Sequence, residues 1–218
     1  MSKSREEIRS LMESLVAMAD EVGVMLSQAT QAFGRSDGDC AVELAERDRE
    51  INRMENVHDT KCLRILALYQ PEADDLRTVF MALKINNDLE RIADHSLNVA
   101  ERADHLGTPP PPFFRNCLER MGTLCQGMLS DAITAFVAKD SALAKNVISR
   151  DDAADDLLKA VVDGILNRAE DLGCDIEASV AVVLAAKELE RIADLCTNIA
   201  EDVVFMAEGA VVKHSGEM

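Results

Sequence analysis

The sequence predicts an all-α protein: two tandem three-helix bundles from an internal duplication, over residues 1–108 and 113–218, joined by a proline-rich linker at 109–112. Three observations carry that prediction. A fourteen-residue stretch occurs twice, at 88–101 as DLERIADHSLNVAE and at 188–201 as ELERIADLCTNIAE, with nine of fourteen positions identical. Apolar residues make up 48% of the chain but aromatics only 3%, which suits helix-on-helix packing better than a sheet. Apolar positions also recur at helical spacing through long segments free of proline.

The first helix is predicted over 5–33, where Ile8, Leu11, Leu15, Met18, Val22, Met25, Leu26 and Ala29 fall on one face. A turn at 34–39 follows, with Asp39 as N-cap of a second helix over 40–69. Residues 70–74 (QPEAD) break it, and a third helix runs over 74–105. Gly107, Thr108 and the four prolines Pro109–Pro112 then form the linker.

Beyond the linker the pattern restarts. A shift of 103 positions aligns Met18 with Met121, Met25 with Met128, Phe33 with Phe136, Arg47 with Arg150 and Asp48 with Asp151. By the repeated stretch the shift has fallen to 100, so a three-residue difference lies between the second and third helices. Each half is therefore one copy of a three-helix unit. Short connections make the helices of each unit antiparallel neighbours.

The repeated stretch reads as helix, containing neither Gly nor Pro. At about 100° per residue, Glu90, Asp94, Leu97 and Glu101 share one sector, with Asn98 at its edge; Leu89, Ile92, Ser96 and Val99 lie opposite. Acidic residues four apart are ordinarily a solvated face, and Asp88–Arg91 or Glu188–Arg191 could be simple intrahelical pairs. Solvated faces tolerate exchange, however, whereas here Glu, Asp, Asn and Glu recur at the same offsets as Glu190, Asp194, Asn198 and Glu201.

The second helices carry a companion motif: Asp48 and Asn52 in the first half, Asp151 and Asp155 in the second. Residues four apart lie one turn apart on one face. Two such pairs on adjacent helices would gather four oxygen-bearing side chains, the donor set of a hard cation such as Mg²⁺, Mn²⁺, Ca²⁺ or iron. A bound cation would also relieve their mutual repulsion.

Composition narrows the rest. A net charge of −17 argues against a nucleic-acid surface. The six cysteines show no C-x-x-C spacing and are expected as buried free thiols in a reducing cytoplasm. Residues 1–9 are too polar for a signal peptide, and the longest apolar run, 180–186, is too short to span a bilayer. A soluble intracellular protein is expected.

The run NDLERIADHSLNVAE, its second copy, and the upstream element Pro71, Ala73, Asp75, Leu76 and Arg77 resemble the PhoU family of phosphate-transport regulators. The resemblance covers nearly the whole chain. It implies metal ions, often multinuclear iron or zinc, held on the bundle surface by paired E/D-x-x-x-D motifs; with the donor set, the expected cofactor is iron, zinc, manganese or magnesium. On this sequence those ligands would be Asp48, Glu90 and Asp94, then Asp151, Asp155, Glu190 and Asp194. Asn52 stands where the family has Asp; Ala93 and Ala193 stand where Gly is more usual. The resemblance further implies a cytoplasmic, non-enzymatic regulator of phosphate uptake and phosphate-starvation signalling. Its expected partners are the phosphate ABC transporter ATPase and a sensor histidine kinase at the inner membrane, with a second copy of the chain forming a homodimer.

Two rivals come from other classes. Glu55 and His58 match the E-x-x-H element of carboxylate-bridged di-iron enzymes, but the corresponding residues in the second half are Leu158 and Val161. A helical adaptor whose acidic stripes bind only basic partners is the other. By charge count the second cluster (Asp151, Asp155, Glu190, Asp194) should bind a cation more tightly than the first (Asp48, Asn52, Glu90, Asp94). Glu55, seven residues after Asp48 and on nearly the same face, could supply the missing charge.

Overall fold

Helices α1 (Lys3–Ala32), α2 (Cys40–Tyr69) and α3 (Ala73–Leu106) form the first half; α4 (Pro112–Ala138), α5 (Ser141–Ile148), α6 (Asp151–Arg168) and α7 (Ile176–Glu208) form the second. The computed structural model describes residues 3–34, 39–106 and 108–208. Most of the predicted 34–39 turn, Gly107 in the linker, and His214 lie outside the described residues.

The helical periodicity of the sequence is the packing pattern. Every apolar position assigned to the first helix is buried, and the inner faces of α1, α3, α4 and α7 join in one continuous core. Within each half, helices pack as a three-helix bundle: α1–α2–α3, and α4, α7 and the α5–α6 pair. The halves meet mainly along α3 and α7, the most extensive helix pairing in the molecule, and secondarily along α1 and α4. The central layer is thus α1, α3, α7 and α4, with α2 on one flank and α5–α6 on the other.

Pairs across the middle show that α3 and α7 run antiparallel. Lys84 is ion-paired with Asp202, and His95 Nδ1 lies 2.6 Å from Glu188 Oε2. Small side chains at Ala93, Ala100, Ala193 and Ala200 are fully buried there. At the other contact between halves, a Cβ added to Gly122 of α4 would sit 2.4 Å from both Thr30 Oγ1 and Thr30 Cγ2. Only glycine lets α1 and α4 approach this closely.

Three local expectations change. Asp39 occupies the N-cap position of α2, but its side chain makes no capping bond. Asp104 of α3 takes that role, its Oδ2 accepting from Ala41 N at 2.7 Å. Pro112 belongs to the first turn of α4 rather than to the linker, since proline lacks only an N–H that helix starts leave unpaired. The second helix of the second half is broken at Ser149–Arg150. Ser149 Oγ bonds back to Asn146 O at 2.8 Å, and Arg150 is drawn to Asp131 of α4 at 2.5 Å. Asp151 therefore begins a helix, where its carboxylate complements the N-terminal dipole.

The second half is the shorter one between its motifs because α6 and the first part of α7 are shorter than α2 and the first part of α3. Its α6–α7 connection, a series of turns ending on Gly173 at φ 69°, is longer than the α2–α3 connection through left-handed Gln70 and Ala73 and offsets part of that difference. Among the described residues all six cysteines are free, five of them buried.

Candidate metal centres

Antiparallel packing brings the α2 motif against the α3 motif. Asp48 faces Asp94 carboxyl to carboxyl, and Asn52 Nδ2 donates to Asp48 Oδ2 at 3.1 Å. Glu90 and Glu55 complete the group, and Glu55 is hydrogen-bonded by Asn87. Burial and then the Asp94 charge push Asp48 up to about 6. Glu90 rises to about 7 through burial and the charges of Asp94, Glu55 and Asp48. Glu55 is raised as well, chiefly by burial, with the Asn87 bond opposing.

The second cluster forms between α6 and α7. Asp194 is pushed up to about 6 by burial, Glu190, Asp151 and Asp155, in that order. Asp155 is raised by burial and by Asp151, Glu190 and Asp152. Thr197 Oγ1 donates to Asp151 Oδ1 at 3.2 Å, which fixes the start of α6 against α7. Lys187 Nζ donates to Glu190 Oε1 at 2.7 Å.

The donor set of each cluster suits a hard cation. All donors are oxygen, like charges are crowded, and each cluster holds one buried carboxylate oxygen without a partner: Asp48 Oδ1 and Glu190 Oε2. Such orphans are costly unless something meets them. Among the described residues no three Asp, Glu, His or Cys side chains already converge on one point. The fit therefore lies in donor chemistry and unmet oxygens rather than in a finished cage.

The other candidate residues go elsewhere. Asn98 turns toward α7, its Nδ2 lying 3.5 Å from Glu188 Oε2, beside His95. Glu101 and Asn198 are exposed and Glu201 is half-buried. Asp88 forms its pair with Arg91 at 3.8 Å but is buried at the α3–α7 contact, where burial and Asp202 push it up to about 6.

His58 is buried, only 1% exposed. Its Nδ1 lies 2.8 Å from Asn86 Oδ1 and its Nε2 lies 2.6 Å from Ser14 Oγ. Asn86 in turn donates to Glu55 O and Asp59 Oδ1. An amide whose nitrogen is so engaged presents its oxygen, so Nδ1 carries the proton and Nε2 accepts from Ser14. Both ring nitrogens are committed, which removes His58 from any metal and leaves Glu55-x-x-His58 without its second ligand. The Ser14–His58–Asn86 order resembles a hydrolytic triad, but Ser14 lies mid-helix in α1, where backbone N–H groups are consumed by the helix and form no oxyanion hole. The network instead sets the register of α2 on α3 beneath the first cluster. The second half replaces it with apolar residues: Cys117 for Ser14, Val161 for His58 and Ala186 for Asn86.

Sequence reasoning missed Asn87, Lys187 and Thr197 as members of the clusters. Asn87 and Lys187 occupy the same repeat position, one turn before Glu90 and Glu190. That difference between copies was the available signal.

Comparison with known proteins adds independent findings. The profile of the PhoU domain matches residues 15–103 and 118–203, one match in each half. A curated relative from Aquifex aeolicus, named phosphate-specific transport system accessory protein PhoU homolog, is 33% identical over 211 residues, covering 96% of this chain and 95% of the relative. One of the same name from Pseudomonas putida is 34% identical, covering 97% of this chain and 82% of the relative. Among solved structures, PhoU from Pseudomonas aeruginosa superposes with a TM-score of 0.88 at 32% identity, covering 94% of this chain and 99% of that one. The phosphate transport system regulatory protein PhoU from Streptococcus pneumoniae gives 0.88 at 27% identity, with 97% and 100% coverage.

Proposed function

The chain belongs to the PhoU family, and from that premise we propose that it is a metal-binding accessory regulator of phosphate transport that works through protein partners rather than by turnover. The observation that carries the role is agreement over nearly the full length of relatives named as accessory proteins of phosphate transport. The duplicated carboxylate cluster with an orphaned oxygen in each copy supports the metal.

Asp48, Glu90 and Asp94, with Asn52 and Glu55 beside them, would hold a cation in the first half; Asp151, Asp155, Glu190 and Asp194 would hold one in the second. A bound cation supplies positive charge that neutralises the crowded carboxylates. The chain's own contribution is placement. Each cluster spans two helices, so its state of charge bears directly on how firmly α2 is held to α3, and α6 to α7. Each cluster joins a flanking helix, α2 or α6, to the central layer.

The proposed setting is cytoplasmic, with the transporter ATPase and the sensor histidine kinase as partners and the chain itself as a homodimer. Among the described residues no helix is long and apolar enough to cross a membrane.

Elemental analysis of untagged protein purified without chelator tests the metal. Iron, zinc or manganese in the wild type, lost in an E90A/D94A/E190A/D194A variant of unchanged helical circular dichroism, supports it. Unchanged metal in that variant refutes the assignment. Deletion of the gene should alter phosphate uptake or the expression of phosphate-starvation genes. A normal phosphate response would refute the role.

A further inference from the structure

The two clusters are copies in sequence but not in surroundings. The exchanges between them include Asn52 for Asp155, Glu55 for Leu158, Arg49 for Asp152, Leu97 for Thr197, and Asn87 for Lys187. The first two leave the number of carboxylates equal, because Glu55 joins the first cluster where Asp155 joins the second. The last is different in kind. On α3 a neutral amide stands one turn before Glu90 and bonds Glu55. On α7 an ammonium stands in the same place and donates to Glu190 Oε1 at 2.7 Å.

That ion pair sits where it matters to a cation. The Glu190 side chain is only 13% exposed, and its second oxygen, Oε2, is buried without a partner. One oxygen of the carboxylate is thus held by Lys187 and the other is unmet. The Lys187 charge also acts on Asp155 and Asp194, the other members facing it. The Lys187 side chain is itself 45% exposed, and its flexible stem can carry the ammonium out into water. In the first half, by contrast, the cations that bear on Asp48 and Glu90 are Arg49 and Arg91, exposed on the outer faces of α2 and α3.

We propose that Lys187 is a built-in counter-ion of the second cluster, so that the first cluster takes a hard cation before the second, and the second takes one only by displacing Lys187 from Glu190. The proposal rests on reading both clusters as cation sites. It reverses the order given by counting charged ligands alone, since that count omits both Glu55 and Lys187. A protein built this way has two loading steps at different cation concentrations, and the second step releases a lysine onto the α6–α7 surface.

The test is calorimetric titration of the full-length, chelator-stripped protein with Mn²⁺, with E90A/D94A and E190A/D194A variants assigning each step to a half. Wild type should show two unequal affinities, the weaker lost in E190A/D194A. In K187M that weaker affinity should tighten on the order of tenfold, in the wild-type and the E90A/D94A backgrounds alike. N87K should weaken the step assigned to the first half. An unchanged weaker affinity in K187M, or a weaker step that disappears with E90A/D94A, overturns the proposal while leaving the cation sites standing. Absence of Mn²⁺ binding in every variant, wild type included, overturns the cation reading and this proposal with it.

Discussion

Asp48 on α2 and Asp94 on α3 face each other carboxyl to carboxyl, and with burial this contact pushes Asp48 up to about 6. The consequence is an inverted pH dependence for the metal-free protein. Asp48, Asp88 and Asp194 are raised to about 6 and Glu90 to about 7 in the fold. In the window between ordinary carboxylate values and these, the folded state binds more protons than the unfolded chain. Stability must therefore fall as pH rises through that window. His58 opposes this, because burial lowers its pKa and its contribution is lost as pH falls below its ordinary value of 6.5. Four carboxyls outweigh one imidazole. Thermal melts of chelator-stripped protein should show Tm rising as pH drops from 8 to about 5.5, at about 2–4 °C per kcal/mol for a chain of this size. Saturating Mn²⁺ should flatten the curve, since a cation replaces the proton.

The same crowding predicts a trade between stability and binding. Glu90→Gln keeps the shape of the side chain and removes one of four like charges. At pH 8 the metal-free variant should be more stable than wild type by about 1 kcal/mol in urea unfolding, while Mn²⁺ affinity of the first cluster falls. A Glu90 on a merely solvated face would show neither change. Loss of stability at pH 8 would contradict the account of the cluster.

Much of this was legible in the sequence because helices announce themselves by period. The α2 bounds, the duplication and the meeting of Asp48 with Asp94 follow from spacing and antiparallel packing alone. The errors have equally physical origins. A pattern with period four drifts on a helix of 3.6, so by Asn98 the stripe begun at Glu90 has rotated by about 80°. That carries Asn98 out of the α2 groove toward Glu188. The break at Ser149–Arg150 has no Gly or Pro to mark it and arises from a partner on another helix, Asp131. The buried network of His58 leaves no local mark for the same reason, since Ser14 and Asn86 lie 44 and 28 residues away.

The buried network around His58 gives a third prediction. Asn86→Ala strands the His58 Nδ1 proton in a fully buried position and removes the bond to half-buried Asp59, and should cost about 2–3 kcal/mol. The triple variant S14C/H58V/N86A installs the solution the second half already uses at Cys117, Val161 and Ala186. Removing every partner at once leaves nothing unsatisfied, so it should cost less than Asn86→Ala alone. Urea unfolding of the two variants measures the difference. A triple variant less stable than the single one would show that the network contributes more than mutual satisfaction of its own members.

The contact between Gly122 and Thr30 sets two known effects against each other. Alanine in place of a mid-helix glycine normally stabilises by roughly 0.5–1 kcal/mol through backbone entropy. Here the added Cβ would meet Thr30 Oγ1 and Cγ2 at 2.4 Å and Thr30 Cβ at 2.8 Å. Thr30 is 5% exposed and its hydroxyl donates to Leu26 O at 2.8 Å, so rotating it away breaks that bond in a buried place. Overpacking of this kind costs about 1–3 kcal/mol, and the clash should win. Gly122→Ala should therefore lower Tm, against the helix-propensity expectation. Thr30→Gly in the same chain removes all three clashing atoms, and the pair should be coupled: Gly122→Ala measured in the Thr30→Gly background should turn neutral or stabilising. Additive costs in that double-mutant cycle would mean that α1 and α4 separate to absorb the new methyl.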